Sequence, residues 1–522
     1  MFIFIKLAET VTLACSRLAL ADGSAYIGCM PTAGLSAADR EFFAALADVV
    51  FGNPYSRQRA TLIVRLAPQA LPGDLISRRE ALVQVVEPRL APFLRDGEAG
   101  LRRLGAEERR LLEPAFLYIC YHRYVPQLDA LIERQAKQSG TPLAVPFADE
   151  AIAELMHAGL VEERALRFFG FLFQLRRAFY FIHGALAGEC ESMRRLREGL
   201  WNNIFTHDMR AYETALWNRM EDFATLLLGE TGTGKGTAAA AIGRSEFIPY
   251  LSEQGRFAAN FAETFIAINL SQFAETLIES ELFGHRKGAF TGAIGHYEGV
   301  FERCSAHGAL FLDEIGEVSV PVQIKLLHVL QDRIFTPVGG GHDKKRFSGR
   351  VVAATNRPLG DLRHEGRFRN DFYYRLCSDV IEVPTLRQRL AEAPAELEQL
   401  VRLLVERTAG TDDQVLVATV LQSLADSVPR GYAWPGNVRE LEQAVRRVLL
   451  TGCYSGDVAE APQGDDDVLL TKLRAGELSA SQLLEKYCAL LYRRFGTYAE
   501  VAKRTGLDPR TSRKYVESAK NG

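Results

Sequence analysis

The sequence predicts a multidomain chain: a mainly helical N-terminal domain, an α/β P-loop domain with a helical lid, and a C-terminal all-α helix-turn-helix. Three observations carry that prediction. An apolar strand, Phe223–Leu228, runs into the glycine-rich GETGTGKG and then into an alanine-rich helix. A second apolar strand, Ala309–Leu312, ends in the paired acids Asp313–Glu314. Near the C-terminus, a locally basic tail holds two short helix candidates, Tyr498–Arg504 and Pro509–Lys520, joined through Thr505–Gly506–Leu507.

At 522 residues the chain is long enough for about three domains. It is 47% hydrophobic and 24% charged with a formal net charge of −3, so any nucleic-acid contact must be local. Eight cysteines lie scattered without a CxxC pair or a metal spacing, which suits reduced thiols rather than a disulfide framework. The opening MFIFIKLAETVTLACSRLAL has an apolar run interrupted by Lys6 and Glu9, and no stretch approaches the roughly 20 apolar residues of a membrane span. The expectation is a cytoplasmic protein with no membrane partner.

Residues 1–185 read as a regulatory or sensory domain of unknown ligand. Apolar residues recur at helical spacing over Glu80–Phe93, Leu101–Tyr121 and Glu150–Ile182, divided by Gly-Pro punctuation. Thr61–Leu66 is a strand candidate. The aromatic cluster from Phe168 to Phe181 fits either a ligand pocket or a helical core or coupling helix against the next domain, and the core or coupling helix is the favoured reading. Residues 186–384 are expected to form the α/β subdomain, 385–452 a helical lid, 453–468 an exposed linker and 469–522 the helix-turn-helix.

The loop Gly229, Glu230, Thr231, Gly232, Thr233, Gly234, Lys235, Gly236, followed by Thr237, has the residue types that cradle phosphates. Glycines let backbone N–H groups turn inward, the helix N-terminus favours negative charge, and Lys235 reaches the β/γ-phosphates. Asp313 would hold Mg²⁺ and Glu314 would polarise an attacking water. A third apolar strand, Arg350–Ala354, finishes in Thr355–Asn356; Asn356 is either a γ-phosphate or water orienter or a simple cap. Between these motifs, Gly288, Ala289, Phe290, Thr291, Gly292 and Ala293 place an aromatic between two glycines, as in a hairpin tip or a presented loop.

The runs GETGTGKG, ESELFGHRKGAFTGA, GALFLDEIGE, AATNRPL, GRFRNDFYYRL and WPGNVRELE, in this order, resemble the AAA+ domain of sigma-54-dependent transcription activators, the bacterial enhancer-binding proteins. The resemblance covers about half the chain. It implies an ATPase using ATP and Mg²⁺ that forms a homo-oligomer, dimer to hexamer, and pushes the Gly288–Ala293 loop against sigma-54 RNA polymerase holoenzyme. By the same resemblance Asn269 restrains the catalytic glutamate, Arg375 is an arginine finger with Arg369 as companion, and Arg439 senses the γ-phosphate. The tail resembles the Fis-type helix-turn-helix, with Arg510, Thr511, Arg513 and Lys514 toward upstream double-stranded DNA. An AAA+ protein remodeller with a non-DNA adaptor tail is the competing reading. Departures are also visible. Gly236 lacks the hydroxyl usual in P-loops, Tyr250–Glu263 reads as an insertion, Trp201–Asp222 looks expanded, and Ser512 stands where a large apolar residue is favoured.

Overall fold

The computed structural model describes residues 34–69, 75–94, 101, 104–429, 431–454 and 478–521. The apolar N-terminal run and most of the expected linker lie outside these residues. The chain divides into two compact units.

The first unit holds the described residues up to Ala178 together with Trp201–Met220 and Ser245–Thr264. Its helices are α1 (Ala37–Val50), α2 (Arg57–Leu66), α3 (Leu75–Leu94), α4 (Ala106–Ala136), α5 (Ala148–His157) and the greater part of α6 (Glu162–Ala185). The strand expected at Thr61–Leu66 is helical. The Ser56 hydroxyl caps α2 by accepting from the Arg59 N–H at 3.2 Å, and the buried Ile63 and Leu66 lie three apart on one face. A cap and an apolar stripe outweigh the β-branched residues' strand preference. Phe168, Phe169, Phe171 and Phe173 are buried, as a core reading requires.

The segments expected to be insertions help to build that core. The two-residue strands β2 (Tyr250–Leu251) and β3 (Arg256–Phe257) pair antiparallel, and the Phe257 ring stacks on Phe173 at 4.1 Å and on Phe169 at 5.8 Å. The buried Gln174 donates to the Ser245 carbonyl at 2.9 Å and exchanges hydrogen bonds with the Tyr212 hydroxyl. Residues 201–220 and 245–264 are therefore structural parts of the first unit.

The second unit contains the α/β domain. Strands β1 (Thr225–Leu228), β4 (Phe265–Asn269), β5 (Ala309–Asp313), β8 (Arg350–Thr355) and β9 (Asp379–Glu382) form an all-parallel sheet in the order β4-β5-β8-β1-β9, and β6 (Ile334–Phe335) and β7 (Lys345–Arg346) pair antiparallel apart from it. Every residue of β8 is buried, as a strand covered on both faces demands. Leu226, Leu310, Leu312, Val351 and Ala353 join Leu326, Leu330 and Phe372 from the flanking helices, and Phe368 from the turn before Asn370–Leu376, in one core. Helices α7 (Leu386–Glu392), α8 (Glu396–Ala409), α9 (Gln414–Ser427) and α10 (Asn437–Thr451) form the lid around Val401, Val405, Val420, Leu441 and Val445.

The tail folds as three helices, α11 (Ala480–Phe495), α12 (Tyr498–Thr505) and α13 (Pro509–Asn521), closed on Cys488, Leu491, Val501 and Val516. Ser479 and Gln482 form a capping box, and Gly506, at φ 70°, makes the turn between α12 and α13. Ser512 is fully buried and its hydroxyl has no hydrogen-bond partner among the described residues, so a short polar side chain fills the position where an apolar one is expected.

Candidate functional site

The carboxyl ends of β1, β4, β5 and β8 converge because parallel strands all deliver their following loops to one edge of the sheet. The register sets Asn269 beside Asp313 and Leu228 beside Thr355. Residues 229–236 leave β1 and turn into the helix Lys235–Gly243. Gly232 and Gly234 have φ of 80° and 102°, a region closed to most side chains. A Cβ on Gly232 would stand 2.2 Å from the Gly436 carbonyl of the lid, so glycine there is required by contact as well as by conformation.

A cavity of about 380 Å³ opens over this loop. Residues Thr231 to Thr237, Asn269, Asp313, Glu314 and Arg439 line its polar side, and Leu186, Met193, Leu196, Leu400 and Leu404 line an apolar wall. That wall is fastened from behind. Arg197 donates to the Leu186 carbonyl at 2.7 Å, and Arg389 donates to the Ala187 carbonyl at 2.7 Å while pairing with the buried Glu396 at 2.6 Å.

Lys235 is buried, and its ammonium donates to the Gly229 and Glu230 carbonyls at 2.8 and 3.1 Å. Burial pulls its pKa below the ordinary lysine value, against the pull of Glu314 and Asp313 in the other direction. An ammonium held by loop carbonyls beside two carboxylates is poised to exchange those carbonyls for phosphate oxygens. Glu314 sits in the left-handed region at φ 56°, ψ 46°, an uncommon place for a glutamate. Its N–H donates to Asp313 Oδ1 at 3.0 Å. One of its carboxylate oxygens accepts from the Asn356 N–H at 3.4 Å, and the Asn356 amide donates to the Thr231 hydroxyl at 2.9 Å. Asn356 thus spans from the glutamate to the phosphate loop.

The other expected site residues are placed differently. Asn269 lines the cavity, but its Oδ1 accepts from the Ser271 N–H and hydroxyl at 3.0 and 2.7 Å rather than meeting Glu314. Glu230 turns from the cavity to the lid, where Arg387 pairs with it through both nitrogens and holds its carboxyl below the usual range. Arg375 donates to the Leu330 carbonyl at 2.9 Å, and Arg369 pairs with Asp371 at 2.7 Å; neither lines this cavity. Two lid residues went unread in the sequence. Arg407 lines the cavity, and the buried Asn437, at φ 52°, donates to Glu230 Oε2 and the Thr231 carbonyl at 3.1 Å each while accepting from the Leu386 N–H at 2.8 Å.

The loop Gly284–Ala293 rises from paired backbone. His285 and Tyr297 exchange N–H···O bonds of 3.0 Å, and Arg286 donates to the Val338 carbonyl at 3.0 Å. The tip closes through Gly288 N–H to the Ala293 carbonyl at 2.9 Å, with Gly288 and Gly292 at φ 79° and 103°. Phe290 is 38% exposed and rests its ring 4.9 Å from His285, Thr291 is exposed, and Ala293 is buried at the base. Ile294, missed in the sequence, is 86% exposed beside them. On the tail, Arg510, Thr511, Arg513 and Lys514 are exposed on α13, with Arg513 paired to Glu517 at 2.7 Å.

Sheet order, phosphate loop, paired acids and helical lid together define a nucleotide-binding domain of the AAA+ class. Residues 206–382 match the family described as the sigma-54 interaction domain. The chain is 36% identical over 344 residues to the Nif-specific regulatory protein of Azotobacter vinelandii, covering 64% of this chain and 58% of that protein. It is 42% identical over 237 residues to the DNA-binding transcriptional regulator NtrC of Azospirillum brasilense, covering 45% and 44%. It is 39% identical over 251 residues to the sigma-54-dependent transcriptional regulator SfnR of Pseudomonas fluorescens (strain Pf0-1), covering 48% and 61%. The chain spans less than two thirds of the length of each of these relatives. Superposition on NtrX from Brucella abortus in complex with ATP has a TM-score of 0.38 at 20% identity, over 71% of this chain and 80% of that one, so the class rests on sheet order and site. Among the described residues no helix is long and apolar enough to cross a membrane.

Proposed function

We propose that this chain is an ATP-hydrolysing transcription activator that binds upstream double-stranded DNA and remodels sigma-54 RNA polymerase to open promoters. The observation that carries the reading is the joint presence, in one α/β domain, of the Lys235–Asp313–Glu314 cavity and a hairpin tip offering Phe290. Domain roles follow the boundaries read above, 1–185 sensory, 186–384 and 385–452 ATPase and lid, 453–468 linker, 469–522 DNA-binding, except that residues 201–220 and 245–264 go with the first unit, in a cytoplasmic homo-oligomer from dimer to hexamer.

In this reading the apolar wall takes the base of ATP and residues 229–237 take the phosphates. The donors around Asp313 are oxygens, which suits Mg²⁺; when bound it offsets charge on the phosphates. Glu314 accepts a proton from the attacking water, with Asn356 and Asn269 orienting that water or the γ-phosphate. Arg439 reads the γ-phosphate from the lid, and Arg375, with Arg369, completes a neighbouring subunit's site. Loss of the γ-phosphate changes what Asn356 and Arg439 hold, and the Gly288–Ala293 loop is the element that moves.

Phe290→Ala in the full chain tests the coupling. The expected result is ATP turnover within about two-fold of the parent, because the ring is remote from the phosphate loop in sequence and rests on His285, with open-complex formation on a sigma-54 promoter lost. Wild-type promoter opening by this variant sinks the loop assignment. For the tail, Arg510→Ala and Lys514→Ala are each expected to lower the slope of log affinity for duplex DNA against log salt by about 1, as loss of one phosphate contact does. Slopes unchanged in both place DNA contact elsewhere.

A further inference from the structure

Three metal-ligating side chains meet at the foot of the Gly284–Ala293 loop, and none of them lines the nucleotide cavity. His296 and Glu298 stand on the arm that returns from the loop, on either side of Tyr297. Tyr297 bridges to His285 through the backbone and commits its side chain elsewhere. Its ring stacks on His285 at 5.5 Å, and its hydroxyl donates to Glu281 at 2.7 Å. Alternate residues of extended chain share a face, which brings His296 and Glu298 to one side of the arm. Glu302 comes from the short helix that follows, Val300–Arg303. One donor atom from each of His296, Glu298 and Glu302 lies within 4.8 Å of the other two.

The surrounding contacts leave ligand atoms available. His296 Nδ1 is 3.1 Å from the His285 carbonyl, which can only accept, so this nitrogen carries the proton and Nε2 keeps its lone pair. A ligating histidine commonly donates its other ring N–H to a carbonyl in this way. Arg286 Nη1 lies 3.3 Å from the same nitrogen, but its guanidinium is paired with Asp343. Glu302 Oε1 accepts from the Lys345 ammonium, whereas Oε2 is buried without a hydrogen-bond partner among the described residues. A carboxylate oxygen withdrawn from water without a donor is unfavourable, and a cation offsets that loss. Two carboxylates and a neutral imidazole match the charge of a divalent ion. The mixed nitrogen and oxygen set suits Zn²⁺ better than Mg²⁺ or Ca²⁺, which take oxygen ligands. Around a four-coordinate zinc the donors stand about 3.4 Å apart. His296 and Glu298 are exposed and can turn to close the difference, with water in the fourth position.

We propose that His296, Glu298 and Glu302 bind a divalent transition-metal ion of the zinc class, which clamps the returning arm of the loop to the helix Val300–Arg303. The site stands independently of the ATPase reading. The test is equilibrium dialysis of the nucleotide-free full chain against zinc chloride, with magnesium chloride as competitor. His296→Ala and Glu298→Gln should each weaken this zinc by at least about 10–100-fold, since a lost ligand costs no less than a lost partner of a ligand. Zinc held by cysteines is common to all the variants and drops out of the comparison. Amide hydrogen exchange of residues 284–299 should slow in zinc, both in the parent and in Asp313→Asn, where the acid of the phosphate site is gone. It should be unaffected by zinc in His296→Ala. Zinc affinity unchanged in both ligand variants, displacement by magnesium at equal concentration, or loop exchange indifferent to zinc in the parent overturns the proposal.

Discussion

Arg375→Ala is expected to lower ATP turnover by about 10³–10⁵-fold while leaving nucleotide affinity nearly unchanged, the effect of losing an arginine that stabilises charge on the transferred phosphoryl. The geometry makes the expectation specific. Arg375 lies on the helix Asn370–Leu376, its Nε held by the Leu330 carbonyl, and does not line the cavity of its own chain. Any contact it makes with a phosphate is with a neighbour's. Mixing Arg375→Ala with Lys235→Ala tests this directly. The first protein keeps an intact phosphate loop and lacks the arginine, the second has the reverse defects, and in the homo-oligomer proposed above a mixture would rebuild complete sites where the two meet. Recovery of turnover on mixing is the expected outcome. If Arg375 only braced its own helix, the lost hydrogen bond would be worth about 1 kcal/mol; Tm would fall, turnover would change modestly, and mixing would restore nothing.

Much of this site was legible because its chemistry is local. A phosphate loop needs glycines where φ is positive, and Gly232 and Gly234 are both so placed. A carboxylate pair at the mouth of a parallel sheet needs an apolar strand before it, and Ala309–Leu312 is one. What escaped was set by distant partners. Asn437 reaches Glu230 across 207 residues, and nothing near either residue in the chain announces that bond. The same applies to Tyr250–Glu263, which looked like an insertion in an ATPase because the rings it stacks on, Phe169 and Phe173, lie some eighty residues earlier. At Thr61–Leu66 local propensity and tertiary demand conflicted, and the cap and buried face of α2 decided. Ser512 shows the converse. The sequence marked it as out of pattern, and the structure makes it a fully buried hydroxyl without a partner among the described residues.

Glu314 offers a prediction in which stability and activity separate. Its backbone lies at φ 56°, ψ 46°, where an L-residue with a long side chain pays about 1 kcal/mol and asparagine is tolerated better. Glu314→Asn should therefore raise Tm slightly. It should also lower turnover by about 10²–10⁴-fold, the range for losing a general base, because an amide cannot take a proton from water. Glu314→Gln, which keeps the length and the acceptor for the Asn356 N–H, should lose turnover equally without the gain in Tm. Both should bind ATP as the parent does, since Lys235 and the loop glycines are untouched. The measurements are Tm, equilibrium ATP binding and steady-state turnover on the three proteins. A Tm that falls in parallel with turnover would make Glu314 a structural residue of the strand end. A Tm that rises while turnover is lost is the behaviour of a site where a strained backbone is retained for the carboxylate it positions.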